Sequence, residues 1–371
     1  MKKSTSAGKR TRMENNSISE AEVIGIDLGD RISQFVGLNA SGEVVAEGRI
    51  PTTAAAMTKE FGSMESKVIA IETGTHSPWV SRLLAQLGHR VVVANSRKLR
   101  LIYENKRKND RADAEYLARL VRMDPKLLEP ITHRSERDHQ HLALLRSRDK
   151  LVRTRSGLIT HVRGTVKSQG MRVPACSAEA FVKRATPLIP KELNAALDPI
   201  LRCIEQLNKE IAGYDRKVEQ LARTEYPTAQ LLMQVAGVGP VTSVAYVVTV
   251  GDPGRFTRSR TAGAWIGLTP GQSASGQQDP QMRITKEGDT YLRRLLVGCA
   301  QYILGPNRPD SDLRRHGLAI AARGGKNAKK RAVVAVARKL AVLLHVLWRT
   351  GAVYEPLYNA NANANTMHPA A

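Results

Sequence analysis

Aromatic side chains make up only 4% of the 371 residues, and there are three cysteines. The shortage of aromatics argues against a module that binds bases by stacking. Cys176, Cys203 and Cys299 lie far apart and match no zinc-ligand spacing, so they read as reduced, structural residues. Long apolar runs are missing too: "VTSVAYVVTV" and "AVLLHVLW" are too short to span a bilayer. The N-terminus, "MKKSTSAGKRTRMENN", is basic but is not followed by the apolar core of a signal peptide. These shortages predict a cytoplasmic protein with no membrane partner. Acids are in deficit, 34 Asp plus Glu against 57 Lys plus Arg, for a formal net charge of +23. Such a surplus favours a polyanionic partner, nucleic acid before anionic membrane, because each neutralised phosphate releases counterions.

The pattern divides the chain. Residues 1–20 read as a disordered basic arm, and the low-complexity end 359–371, "NANANANTMHPAA", as a disordered tail. Residues 21–125 alternate strand and helix. "VIGIDL" reads as a buried strand, and "SQFVGLN" and "EVVAEGRI" form a hairpin around "ASG". "KVIAIET" and "HRVVVAN" are two further strands. "SPWVSRLLAQLG" between them predicts a helix with Ser77 as N-cap, Pro78 in its first turn and Gly88 as terminator. This order gives an α/β domain.

Residues 136–226 read as long helices. Leu193, Leu197, Ile200, Ile204, Leu207, Ile211, Tyr214, Val218 and Leu221 form a heptad seam, expected as a coiled coil or an intramolecular helical hairpin. Pro199 interrupts it, or Asp198-Pro199 restarts the helix. Residues 229–358 form a mostly helical third region. It opens with "VAGVGPVTS", which looks like a helix-hairpin-helix turn: Gly237 and Gly239 permit tight backbone whose N–H groups can meet a phosphate. Arg255, Arg258 and Arg260 stand nearby. It closes on an apolar helix with a basic front end, "KNAKKRAVVAVARKLAVLLHVLW".

Four carboxylates carry the chemical reading. In "KRKNDRADAEYLARL", Asp110 and Asp113 share a helix face that Ala114, Leu117, Leu120 and Val121 continue, so both are expected along the buried edge. Asp27 ends the strand in "VIGIDLGD" and Glu72 the strand in "KVIAIETGT", at the strand ends where α/β sites open. Four converging carboxylates would form a hard oxygen cage suited to Mg²⁺ or Mn²⁺, able to activate a nucleophile and stabilise a leaving oxygen in phosphoryl transfer. Lys106, Arg107 and Lys108 would draw a phosphate backbone to it.

This constellation resembles the ribonuclease H-like (RuvC-like) fold of DEDD transposases. The resemblance implies a mixed sheet with Asp27 and Glu72 on neighbouring central strands, faced by Asp110 and Asp113. Further on, "GLTP…SASG…RITKEGDTYLRRLLV" is similar to the C-terminal domain of one DEDD insertion-sequence family, the recombinases guided by a bridge RNA. In that family a loop serine before glycine is the nucleophile, which implies Ser275, with Ser273 the competing candidate. Arg283, Lys286, Arg293 and Arg294 would contact nucleic acid. The family's K-x-G-N step appears as Lys286, Gly288 and Asp289, an aspartate replacing asparagine. The resemblance also implies DNA as substrate, a guide RNA, a homodimer or homotetramer, and residence at the nucleoid.

Three rivals remain open at this point. A ribonuclease-like or resolvase-like nuclease would use the acids and water without a covalent step. A phosphotransferase of the actin-like class would need a second Asp-Gly phosphate loop, for which "VTVGDPGRFT" is poor because of Pro253. A non-catalytic nucleic-acid-binding protein would tolerate loss of Asp27 and Glu72.

Overall fold

The structure is a computed structural model that describes residues 18–97, 109–273 and 282–359. The chain divides into two compact units, Met1–His133 and Arg134–Ala371. The N-terminal unit is built on strands β1 (Val23–Asp27), β2 (Ile32–Leu38), β3 (Val44–Pro51), β4 (Val68–Glu72) and β5 (Arg90–Ala94). Their order across the sheet is β3-β2-β1-β4-β5. β1, β2 and β3 pair antiparallel, whereas β1, β4 and β5 pair parallel. This mixed five-stranded sheet agrees with the expected α/β, ribonuclease H-like reading.

Strand alternation gives the sheet two separate cores. Ile24, Ile26, Ile69, Ile71 and Val93 point to one face, with helices α1 (Ala54–Phe61) and α2 (Ser77–Gln86). Val23, Ala70, Val92 and Ala94 point to the other, against helix α3 (Asp110–Met123). Helix α1 has no counterpart in the sequence reading; its signal is Thr53, whose side chain accepts from Ala56 N. Ser77 proves not to be the N-cap of α2. It is the first helical residue, and its hydroxyl exchanges hydrogen bonds with the Gly74 backbone, while His76 occupies the cap position. Gly88, in the left-handed region at φ +95°, ends the helix as expected.

Helix α3 touches β1 backbone to backbone. A Cβ added at Gly25 would lie 2.0 Å from the Ala114 carbonyl oxygen and 2.6 Å from the Ala118 nitrogen. The helix runs opposite to the strand. Arg122 near its end donates to Ala40 O at 2.7 Å, in the turn beyond the start of β1, while Arg111 in its first turn pairs with Glu47, level with Gly25.

In the second unit, α4 (Glu136–Ser168) and α6 (Asn194–Thr224) form an antiparallel hairpin, with the short α5 (Phe181–Ala185) between them in sequence. Leu142 and Leu145 share a core with Val218 and Ala222, whereas Val162 and Val166 share one with Leu197, Leu201 and Ile204. The heptad seam is therefore buried within the chain. Its register differs slightly, since Leu201 and Ala222 are buried where Ile200 and Leu221 are only half-buried. The helix does not restart at Asp198-Pro199: α6 begins at Asn194 with Pro199 inside it. The missing N–H falls early in a helix that packing on both sides of it already holds.

The remaining helices are α7 (Pro227–Leu232), α8 (Pro240–Val250), α9 (Arg260–Trp265), α10 (Thr290–Ile303), α11 (Asp312–Ala322) and α12 (Ala328–Thr350). α8 is buried from Thr242 through Val250 and forms the centre around which α10 and α12 pack. Residues 1–17 of the expected arm and 360–371 of the expected tail lie outside the described residues; Ile18–Glu20 form a 3₁₀ turn. Among the described residues no helix is long and apolar enough to cross a membrane.

Replacing Gly25 by alanine is expected to destabilise the chain by about 1–3 kcal/mol, because the new methyl overlaps the α3 backbone. Urea unfolding of the full-length variant measures this. An unchanged midpoint would show that the helix does not rest on the strand at this point.

Candidate acidic site and the arginine-tied loop

Asp27 and Glu72 end neighbouring parallel strands in the same register, one residue beyond the Ile26–Ile71 pair. Alternation puts Asp27 on the face of Gly25 and Glu72 on the face of Ala70, which is the face α3 covers. The helix direction carries the first turn of α3 to that same sheet end. Asp113 is buried there at 6% exposure, and its amide donates to Asn109 O at 3.0 Å. Asn109 caps the helix by accepting from Arg111 N at 3.1 Å. Asp110, expected to be buried, is exposed. It opens the helix one turn before Asp113, where the sheet no longer covers it.

Two strand ends and one helix start thus lie at the same end of the sheet. Among the described residues, however, no group of three or more Asp, Glu, His or Cys side chains lies close enough to hold a metal ion. The donors themselves are hard oxygens, the type that divalent cations select. Loops leaving the same strand ends carry a pair the sequence reading missed. His76 Nε2 lies 3.6 Å from Asp30 Oδ1, and Trp79 Nε1 donates to His76 Nδ1 at 3.0 Å. The indole bond fixes Nδ1 as acceptor, so the other ring nitrogen carries the proton. The sequence signal was "THSPW", with histidine and tryptophan three apart on a helix start. Lys106, Arg107 and Lys108 lie outside the described residues.

Ser275 also lies outside the described residues, but both flanks of its loop are described. They pair antiparallel: Gly271 N donates to Arg283 O, Thr285 N to Thr269 O and Lys286 N to Gly267 O. Below that ladder two glycines cross. A Cβ at Gly267 would lie 2.2 Å from Glu287 O, and one at Gly288 would lie 2.1 Å from Trp265 O. Arg293 ties the crossing, donating to Ile266 O at 2.9 Å and Glu287 O at 2.8 Å. Arg294 pairs with Asp149 at 2.7 Å. Two of the four cations expected to meet nucleic acid are therefore engaged within the chain. Arg283 and Lys286 are exposed, as is Ser273.

Asp289 has three tasks. Its carboxylate accepts from Leu292 N at 2.8 Å, capping α10, and pairs with Arg146 at 2.7 Å. It also faces Arg134, a half-buried guanidinium whose Nε donates to Val248 O at 3.1 Å. Burial lowers the Arg134 pKa from its ordinary value, and the Asp289 charge works against that loss. An asparagine would cap the helix but would bring no charge to either arginine.

In the glycine turn, Gly237 adopts φ +90°, and a Cβ there would meet the Tyr302 ring at 2.8 Å. Its freedom serves packing against α10. Gly239 precedes α8 with open space beside it. Arg255 stacks over Trp265 with its guanidinium 5.3 Å from the ring centre, and Arg258 and Arg260 are exposed.

The mixed five-stranded sheet with helices on both faces is consistent with an α/β domain of the ribonuclease H-like type. A transposase family model of the DEDD type matches residues 24–169, and the model described as "Transposase IS116/IS110/IS902 family" matches residues 229–313. The transposase for insertion sequence element IS1111A of Coxiella burnetii is 28% identical over 346 residues, 91% of this chain and 92% of the relative. A probable family 20 transposase of Pseudomonas aeruginosa is 28% identical over 90% of this chain and 98% of its own length. The transposase for insertion sequence element IS1328 of Yersinia enterocolitica is 28% identical over 75% of this chain and 83% of its own length. The chain belongs to the IS116/IS110/IS902 family of DEDD-type insertion-sequence transposases, enzymes that cleave and transfer DNA strands. Membership in a DEDD family implies dependence on a divalent metal in general.

Asp289→Ala is expected to lose both cap and charge, with the cap alone costing about 1 kcal/mol. Asp289→Asn should keep the cap and lose less. Denaturant unfolding of the two full-length variants ranks them. Equal losses would assign the whole effect to the charge facing Arg134 and Arg146.

Proposed function

We propose that the chain recombines insertion-sequence DNA through an acidic site at one end of the β1–β4 pair and a serine nucleophile in the 272–282 loop. The observation that carries the reading is the shared register of Asp27 and Glu72, faced by the buried Asp113 on an oppositely running helix. Asp27, Glu72, Asp110 and Asp113 would hold Mg²⁺ or Mn²⁺. A divalent ion there supplies charge neutralisation to a phosphate and lowers the pKa of an attached hydroxyl.

The residues of the chain divide the remaining work. The Ser275 hydroxyl attacks a DNA phosphorus and loses its proton to solvent or to a neighbouring base. A P–O bond to the serine forms, and the bond to one strand oxygen breaks, releasing a strand hydroxyl. The phosphoserine link conserves the bond for rejoining to a second strand. The paired flanks of the loop, with Arg293 below them, fix where the loop leaves the fold. Arg283 and Lys286 would neutralise charge building on the phosphoryl oxygens. Lys106, Arg107, Lys108 and the Gly237–Gly239 turn would contribute backbone contacts. Guidance by RNA, and assembly as a homodimer or homotetramer at the nucleoid, complete the reading and come from the family resemblance.

Denaturing electrophoresis of the protein with element-end DNA, guide RNA and Mg²⁺ tests it. Wild type should give a covalent protein–DNA adduct. Ser275→Ala should abolish the adduct, and Asp27→Asn or Asp113→Asn should lower its yield by at least 100-fold. Strand exchange surviving Ser275→Ala would exclude the serine step and leave a metal-dependent nuclease using water.

A further inference from the structure

The C-terminal unit carries a groove of about 2010 Å³ that the readings above leave unassigned. Helix α12 lays one face along it. Arg331, Val334, Arg338, Lys339, Val342 and Val346 line the groove in order along that face. At 1.5 Å rise per residue they span about 22 Å, cations toward the front and aliphatic side chains toward the back. Arg283 and Lys286 from the flank of the 272–282 loop, Arg260 from α9 and Arg323 from the end of α11 also line it. Lys330 adds a further cation, whereas Asp312 and Glu355 are the acids of the lining. Asp312 is already engaged, accepting from the Asn359 backbone and side-chain amides at 2.7 and 2.9 Å.

None of these cations pairs with a carboxylate among the described residues. That sets them apart from Arg146, Arg148, Arg155 and Arg294, which are spent on internal ion pairs. The positive field also reaches His316 inside the groove, whose pKa is lowered first by burial and then by Lys339 and Arg323. A second copy of the chain, itself carrying +23, offers poor charge complementarity to such a wall.

We infer that this groove is a binding site for a single-stranded segment of nucleic acid. The eight cations of the lining suit a phosphate backbone. The aliphatic lining of Val334, Val342 and Val346 offers apolar surface to bases that a duplex would keep stacked inside itself. The site deepens the nucleic-acid reading above and rests on it. Equilibrium binding, however, needs neither the acidic sheet end nor Ser275, so either can fail alone.

Fluorescence anisotropy with the full-length protein tests the inference, using end-labelled 12-nucleotide DNA, RNA of the same sequence, and the DNA duplex. Arg331→Glu with Lys339→Glu should weaken single-strand binding by at least 10-fold. The log–log salt slope should fall by about 1.4 for two lost phosphate contacts. Val342→Ser with Val346→Ser should weaken single strands several-fold at an unchanged salt slope and leave the duplex unaffected. The control Lys59→Glu with Lys126→Glu makes the same charge change on the N-terminal unit and should cost less than 3-fold. A loss confined to RNA identifies a guide strand; a loss confined to DNA identifies a strand of the element; either supports the site. The inference is overturned if well-folded groove variants bind single strands like wild type. It is equally overturned if the control pair costs as much, or if the duplex responds to both groove pairs as single strands do.

Discussion

The acidic sheet end depends on one contact, the backbone of α3 lying on the backbone of β1 at Gly25. Any larger residue would push the helix outward, and the carboxylate one position before Ala114 would move with it. Asp113 is buried because the helix comes this close, and it reaches the end of β1 because the helix runs opposite to the strand. The Arg111–Glu47 pair and the Arg122–Ala40 bond hold the two ends of the helix along the hairpin, fixing its slide as well as its height. A buried carboxylate is costly unless a partner or a cation answers it. The close approach of the helix fixes where the Asp113 carboxylate lies.

Local periodicity made most of the N-terminal unit legible. Alternating apolar runs located all five strands to within a residue or two, and "DxxD" on an apolar stripe located α3. The positions of Asp27 and Glu72 at strand ends were readable for the same reason. Pairing was not. That Asp27 and Glu72 share a register follows from the parallel β1–β4 ladder, which no short-range pattern specifies. Helix α1 escaped because "AAAMTKEF" carries only two buried residues, Met57 and Phe61, too few for a visible stripe. The exposure of Asp110 escaped because periodicity gives the side of a helix and not where the sheet beneath it ends.

In the C-terminal unit the same limit shows differently. The heptad seam was plain, but partner choice is a tertiary matter, and the seam is satisfied by α4 of the same chain. Hairpin packing tolerates Pro199 because neighbours on both sides of it are already buried. The aspartate at position 289, a departure from the family's asparagine, has a physical reason that only the fold reveals. Arg134 donates to the carbonyl end of α8 from a half-buried position, and Arg146 approaches from α4. A neutral cap would leave both guanidinium charges to be answered elsewhere. The substitution thus binds α10, and with it the anchored end of the serine loop, to the helical hairpin.

Charge counting alone misjudges where a phosphate would be met. Arg163 donates to the Val173 and Pro174 carbonyls, Arg314 to those of Ile303 and Gly305, and Arg293 to Ile266 and Glu287. Each guanidinium satisfies two backbone acceptors at a helix end or loop, which a lysine's single ammonium does less well. Arginines used this way brace the fold, and their charge is partly answered before any ligand arrives. The cations that line the groove beside α12 have neither a carboxylate nor a carbonyl partner among the described residues. The cations therefore fall into two populations, one that holds loops and helix ends and one that faces outward, and eight of the second line the groove beside the flank that carries Arg283 and Lys286. The described flank that carries Arg283 and Lys286 thus adjoins a lining whose cations have no carboxylate partner among the described residues.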